Sequence, residues 1–280
     1  MSDLHLPIEN YMLTPLQSAE RDWLAQVTIR RCLARFGYDY PDPGARPTSG
    51  SMALAQYSVL ARRYGVTDPA SVHQWGYHFP RATATPGSGK AVLLAELPAD
   101  ERKVLTGYDP TTHGPATSYK GQPIPNLGCR NEPDRLLGGP AEGAKGPNAA
   151  KGGAVNIVDG LVAKLKAASF NESMADPRVV AVFKAWTACM KTVGYHEADP
   201  MRVPEGFPGS GTPSSAEIAE AQADVSCKAR TNMAGIWFAV ESEYQNAAIA
   251  ENAKQLSGVK SALKKEVVNL QRLLRAQGAS

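Results

Sequence analysis

The sequence predicts a mainly α-helical protein stapled by two disulfides. Three observations predict it. Apolar residues recur at helical spacing behind capping residues, four cysteines fall into two matching copies of one motif, and the intervening segments are rich in Gly and Pro. The expected layout is a loop-rich helical half over 1–137, a Gly-rich linker over 138–153, and a helical half over 154–280 ending in a long amphipathic stretch or hairpin.

The first helix is expected over 14–36. Thr14 suits the N-cap, Pro15 the first helical position, and Gln17 completes a Thr-x-x-Gln capping box. Leu16, Trp23 and Val27 share one helical face, and Gly37 ends the helix. A weaker helix is expected over 51–63, and Asp68-Pro69 starts a short one running through Gln74. Residues 76–125 hold seven prolines and read as loops rather than a regular sheet, with Trp75, Tyr77, Phe79, Tyr108 and Tyr119 pinning the loops to helices. Residues 138–153 lack large apolar side chains, which makes them the clearest linker.

In the second half, a short helix is expected over 154–168. Asp176-Pro177 opens a stronger one. Its Val179, Val182, Phe183, Trp186 and Met190 follow the i, i+3, i+4, i+7, i+11 spacing of a buried stripe, and Gly194 ends it. Ser214-x-x-Glu217 is a capping box heading a helical stretch to about Leu274, with breaks expected near Gly235 or Gly258. Ile249, Leu256, Leu263 and Leu270 recur every seven residues, but Asn252 and Glu266 interrupt the neighbouring row. That favours an amphipathic helix packed on its own domain over a strict coiled coil.

The most informative feature is a self-similarity. Cys32-Leu-Ala-Arg-Phe-Gly37-Tyr38 matches Cys189-Met-Lys-Thr-Val-Gly194-Tyr195, and both continue to Asp-Pro at the same offset, Asp42-Pro43 and Asp199-Pro200. In each copy a cysteine sits in the last turn of a Trp-containing helix, followed by a Gly suited to a left-handed C-terminal cap. Each copy has one further cysteine, Cys129 or Cys227. Four cysteines allow three pairings, and the duplication favours Cys32–Cys129 with Cys189–Cys227. The alternatives are four buried free thiols in a cytosolic protein, or a zinc site. The zinc reading lacks a Cys-x-x-Cys pair and any His at ligand spacing, so no metal is expected.

Several short motifs bear on origin: Leu6-Pro-Ile-Glu-x-Tyr11, the paired Cys-x4-Gly-Tyr strings, Arg63-Tyr-Gly-Val-Thr-Asp68, Trp75-Gly-Tyr-His78, Gly128-Cys129, Trp186-x-x-Cys-Met190 and Ala223-Asp224-x-x-Cys227. With these the chain resembles an uncharacterised actinobacterial (Streptomyces-type) family of exported proteins and lipoproteins. The resemblance runs along nearly the whole chain. It implies export, with a leader ahead of the Leu-Pro-x-Glu-x-Tyr segment, and hence disulfides. Some members resemble accessory proteins of cell-envelope export systems. The family carries no established activity, so no residue role transfers.

Composition limits the function classes. The chain has 280 residues, 43% of them apolar, enough to offset chain entropy with one large core or two modest ones. A net charge of +3 is too small to imply nucleic acid. No apolar run approaches the length of a membrane span. His5, Pro7 and Glu9 interrupt any apolar core near the start, so the opening residues do not read as a leader. The cysteines nonetheless favour an extracellular or cell-envelope location, with a leader expected upstream.

Chemistry-bearing motifs are sparse, and no cofactor is expected. Gly87-Ser-Gly-Lys90 departs from a phosphate-binding loop at Ala84 and Ala91. His73 and His78 are five apart and do not share a helical face. Trp75, Tyr77, His78 and Tyr108 could line a ligand pocket or simply anchor loops. Glu132, following Cys129, could serve as an acid or base, or favour the start of the next helix. Lys260, Lys264, Lys265 and Arg272, with Lys254 and Arg275, make the last helix basic, suited to a partner, an anionic membrane surface or plain solvation. The first functional reading is a non-enzymatic secreted or envelope binding protein, holding an envelope protein or small molecule. An extracellular enzyme would need Glu132, His78 and Asp109 within hydrogen-bond reach in one cleft. A cytoplasmic nucleic-acid binder would use the basic helix.

Overall fold

The computed structural model describes residues 4–49, 57–79, 94–138, 155–207 and 211–277. Its helices are α1 (Pro15–Ala34), α2 (Pro69–Trp75), α3 (Ala99–Thr106), α4 (Glu132–Leu137), α5 (Val155–Met174), α6 (Pro177–Thr192), α7 (Ser215–Arg230), α8 (Met233–Glu251) and α9 (Ala253–Gln277). The fold is mainly α. The strands among the described residues are two short antiparallel ladders, β1 (Tyr108–Asp109) with β2 (Gly114–Pro115) and β3 (Ser118–Tyr119) with β4 (Gln122–Pro123).

Helix starts follow the capping chemistry. The Thr14 hydroxyl accepts the Gln17 N–H at 3.2 Å while the Gln17 side chain accepts the Thr14 N–H at 2.9 Å, so both halves of the capping box form. Asp68 caps α2 through the Ala70 N–H. Ser214 caps α7 through the Glu217 N–H, but Glu217 does not close the box: its carboxylate turns into the interior, where it has another partner. Asp176 caps α6 through the Arg178 N–H at 2.9 Å and also accepts from the Arg178 guanidinium. These contacts hold its carboxyl at about 2, below the ordinary 3.8. A depressed folded-state value means stability that is present above the unfolded value and lost as pH falls from about 4 to about 2. Asp176→Asn keeps a capping side chain, so the melting-temperature gap between wild type and variant is expected to shrink across that window. A gap that stays constant from pH 4 to 2 contradicts this.

Some expectations are corrected. Residues 57–66 are turns, not the end of a helix over 51–63; residues 50–56 lie outside the description. Arg62 and Gly65 adopt φ +57° and +74°, left-handed values that stop a helix and bring Arg63 and Tyr64 to Glu241. The helix α3 was not anticipated, and α5 runs six residues beyond 168. The C-terminal stretch breaks at Asn232, at φ +50°, three residues before Gly235, where a Cβ would lie 2.3 Å from the Asn232 side-chain oxygen; its second break is at Asn252, and Gly258 lies inside a helix. Leu16, Trp23 and Val27 are half-buried, and α1 buries Ala19, Leu24, Cys32 and Leu33, the face tied down by the disulfide and by Leu137, Leu270 and Leu274.

Both disulfides join the expected pairs, Cys32–Cys129 and Cys189–Cys227, with Cα separations of 5.5 and 5.6 Å. The two matching strings also end their helices alike. Gly37 and Gly194 lie at φ +81° and +92°, and the following Tyr38 and Tyr195 N–H groups donate back to the Leu33 and Met190 carbonyls at 3.2 and 3.0 Å. That five-residue return bond is the one that satisfies a helix's last carbonyls. Downstream, Asp42 accepts the Gly44 N–H and Asp199 the Met201 N–H, the same two-residue turn in each.

The chain divides into two compact units. The first comprises Met1–Asn10, Val59–Arg81 and Ala163–Ala253; the second comprises Tyr11–Ser58, Ala82–Val162 and Lys254–Ser280. Each holds one disulfide, but the units follow contacts rather than the sequence halves 1–137 and 154–280, and most of the expected linker, 139–153, lies outside the described residues. In the first unit α6, α7 and α8 pack on one another, with α2 against α7. Trp186, Trp237, Met190 and Met233 are fully buried there with Tyr64 and Val179. Phe170 stacks on Trp237, and Phe183 meets that ring edge-on, at 5.0 and 5.1 Å between centroids. In the second unit Cys32, Leu33, Val104, Leu105, Ile124 and Cys129 form one cluster. Gly128 presses its backbone on the end of α3, where a Cβ would lie 2.4 Å from the Leu105 carbonyl oxygen. Leu270 and Leu274 seat α9 on Leu24 and Leu137, and Asn269 donates to the Leu137 carbonyl that ends α4.

Candidate functional site

In the first unit, α2 delivers Trp75, Tyr77 and His78 to the N-terminal half of α7. Glu217, 1% exposed, accepts the Tyr77 N–H at 2.9 Å, and its other oxygen lies 3.4 Å from His78 Nε2. The Arg62 guanidinium donates to the Tyr77 and His78 carbonyls. The Tyr77 ring stacks on Phe207, and its buried hydroxyl has no hydrogen-bond partner of good geometry. Burial first, then the Asp224, Glu220 and Glu197 carboxylates, push the phenol well above its ordinary value. Trp75 is half-buried.

Seven residues beyond Glu217 on the same face of α7 lies Asp224. It accepts from the Trp186 indole N–H at 2.8 Å and from the Lys228 ammonium at 2.9 Å. Burial pushes the Asp224 carboxyl up, against the pull of Lys228; burial likewise pushes Lys228 down, against the pull of Asp224. Within this network the Asp224 carboxyl and the Lys228 amine each find a hydrogen-bond partner despite their burial. Gly65 leaves room for the ammonium, since a Cβ there would lie 2.5 Å from Nζ.

A second buried network centres on Glu241, which is fully buried. Arg63 chelates its carboxylate, Tyr64 donates its hydroxyl at 2.9 Å, and Gln245 donates at 2.7 Å while accepting the Ile8 N–H. Arg63 also lies over the Phe170 ring. Sequence reading missed both networks. Ile8, Arg63, Tyr64, Trp186 and Asp224 do all sit within the short motifs that the sequence singles out.

In the second unit, Tyr108 is 47% exposed and faces His113 across 3.3 Å. Asp109 pairs with Lys103 at 2.6 Å and accepts the Thr111 N–H. Glu132 opens α4 near Arg135 and Arg35, at 3.4 and 3.9 Å. Of the three groups a catalytic reading requires, His78 belongs to the first unit, beside the Glu217 carboxylate, and Asp109 and Glu132 to the second, beside Lys103 and Arg135. Gly87-Ser-Gly-Lys90 lies outside the described residues. Among the described residues no cluster of His, Cys, Asp and Glu is placed to hold a metal ion.

Two open features of the second unit remain. Trp23 and Val27 of α1 line a groove of about 440 Å³ together with Arg30, Arg31, Ala34, Gln277 and the turn at Asp42–Gly44. The Trp23 indole N–H donates to the Gly44 carbonyl, which fixes the ring as its floor, and Arg30 pairs with Asp42 at 3.0 Å. Such a surface can contact an apolar group carrying an acid. The other feature is the outward side of α9, where Lys254, Lys260, Lys264, Lys265, Arg272 and Arg275 are all exposed; Lys260 sits 5.9 Å from the centre of the Tyr11 ring. No family model, curated protein or solved structure matches this chain.

Proposed function

We propose that this chain is an exported, non-enzymatic binding or accessory protein of the cell envelope. The observation that carries the reading is the pair of disulfides, one in each compact unit, because such bonds persist in oxidising compartments and are rare where thiol reductants prevail. The resemblance to exported actinobacterial proteins and lipoproteins points the same way. Among the described residues no helix is long and apolar enough to cross a membrane. The binding half of the reading draws on where the ionisable groups are spent. Glu217, Asp224, Lys228 and Glu241 are used inside the first unit to hold neighbouring segments, while the cations of α9 face outward.

The test is fractionation of cells making the native protein, with alkylation before any reduction. The chain is expected in the envelope or medium with no alkylatable thiol. Recovery from the cytosol with four reactive thiols overturns the proposal.

A further inference from the structure

We infer that the outward face of α9 is a docking surface for an anionic lipid bilayer. The inference deepens the envelope reading and rests on it for the nearness of a membrane. Charge is segregated in this chain. α9 carries four Lys and two Arg against the single carboxylate Glu266, a net +5, while the whole chain is +3, so the remaining side chains are net −2. Glu266 is turned inward, with the Arg21 guanidinium donating to it at 2.8 Å.

The helix is two-sided. Leu256, Val259, Leu270 and Leu274 are buried. Opposite them Lys254, Lys264, Lys265, Arg272 and Arg275 are exposed, and at helical spacing they fall within an arc of about 100°. None of the five makes an ion pair among the described residues. At the middle of the arc stands Val268, 55% exposed. Lys264 and Lys265 lie one turn before it, Arg272 one turn after and Arg275 two turns after.

That arrangement decides between polyanions. A nucleic-acid backbone or an acidic protein uses the cations but has no need of an isolated apolar tip among them. A bilayer interface uses both: headgroup phosphates meet the long cationic side chains, and the apolar tip reaches past them. Each Lys or Arg brought near an anionic leaflet raises partitioning about five-fold, and the attraction is screened by salt.

The experiment is co-sedimentation of the oxidised full chain with phosphatidylcholine vesicles and with vesicles that also contain phosphatidylglycerol. Binding is expected only to the second kind, weakening as salt is raised. Lys265→Glu combined with Arg272→Glu should cut it by at least about twenty-five-fold. Val268→Asp should weaken it with every cation still in place. These positions are exposed, and unchanged far-UV circular dichroism and melting temperature exclude misfolding as the cause. Equal binding to both vesicle types, indifference to the charge reversals, or stronger binding to duplex DNA that is indifferent to Val268→Asp would each overturn the inference. Thiol alkylation tests the compartment separately, so the two failures are distinguishable.

Discussion

Replacing Cys32 and Cys129 together by alanine is expected to lower the unfolding free energy by about 4–5 kcal/mol, and replacing Cys189 and Cys227 together by about 4 kcal/mol. The two bonds close loops with sequence separations of 97 and 38, and the longer loop restrains more of the unfolded chain. Double replacements are the right variants, because a single one leaves an unpaired thiol, a buried one wherever Cys32, Cys129 or Cys227 remains. The connectivity adds a sharper expectation. The 189–227 loop lies wholly within the first unit, which holds Trp75, Trp186 and Trp237. The 32–129 loop starts and ends in the second unit, which holds Trp23, but it carries residues 59–81 into the first. Loss of Cys32–Cys129 should therefore loosen both units, and loss of Cys189–Cys227 chiefly the first. Urea unfolding followed by tryptophan fluorescence, in wild type and in variants retaining only Trp23 or only Trp186, reads this directly. A double variant unfolding within about 1 kcal/mol of wild type would show that its disulfide contributes little.

Asp224→Ala is expected to cost about 3–5 kcal/mol. It leaves the Lys228 ammonium, 3% exposed, without a counter-charge and removes the acceptor of the Trp186 indole N–H. Removing both charges is a different matter. In Asp224→Asn with Lys228→Met the amide oxygen still accepts from Trp186, and a flexible apolar chain of similar length fills the lysine's place. This double variant should unfold within about 2 kcal/mol of wild type, because a buried pair recovers little more than the desolvation of its own charges. Thermal and urea melts of the single and double variants form the cycle. If Asp224→Ala is nearly neutral, or the double variant is no better than Asp224→Ala, then charge compensation is not what Asp224 supplies.

Four helix starts and the disulfide pairing were legible in the sequence because both are local or literal signals. Thr14, Asp68, Asp176 and Ser214 act on N–H groups within three residues of themselves, so four letters suffice to specify each start. The matching Cys-x4-Gly-Tyr strings named the pairs before any contact was known. Stripe spacing also told the core of α6, where Val179, Val182, Trp186 and Met190 are buried. On α1 the face shared by Leu16, Trp23 and Val27 is half-buried, because spacing places residues on one face without saying what lies opposite.

Only the tertiary structure decided how the charged residues are used and which segments belong together. Glu217 reads locally as half of a capping box, yet it turns inward because the Tyr77 N–H, 140 residues away in the chain, needs an acceptor. Glu241 meets Arg63 across 178 residues and Gln245 meets Ile8 across 237, and no periodicity encodes partners at such range. The C-terminal stretch breaks at Asn232, close to Gly235, and at Asn252 rather than near Gly258. Glycine permits a break without requiring one. Local hydrogen bonding thus set where the capped helices begin, and the need to pair buried polar groups set where several segments went.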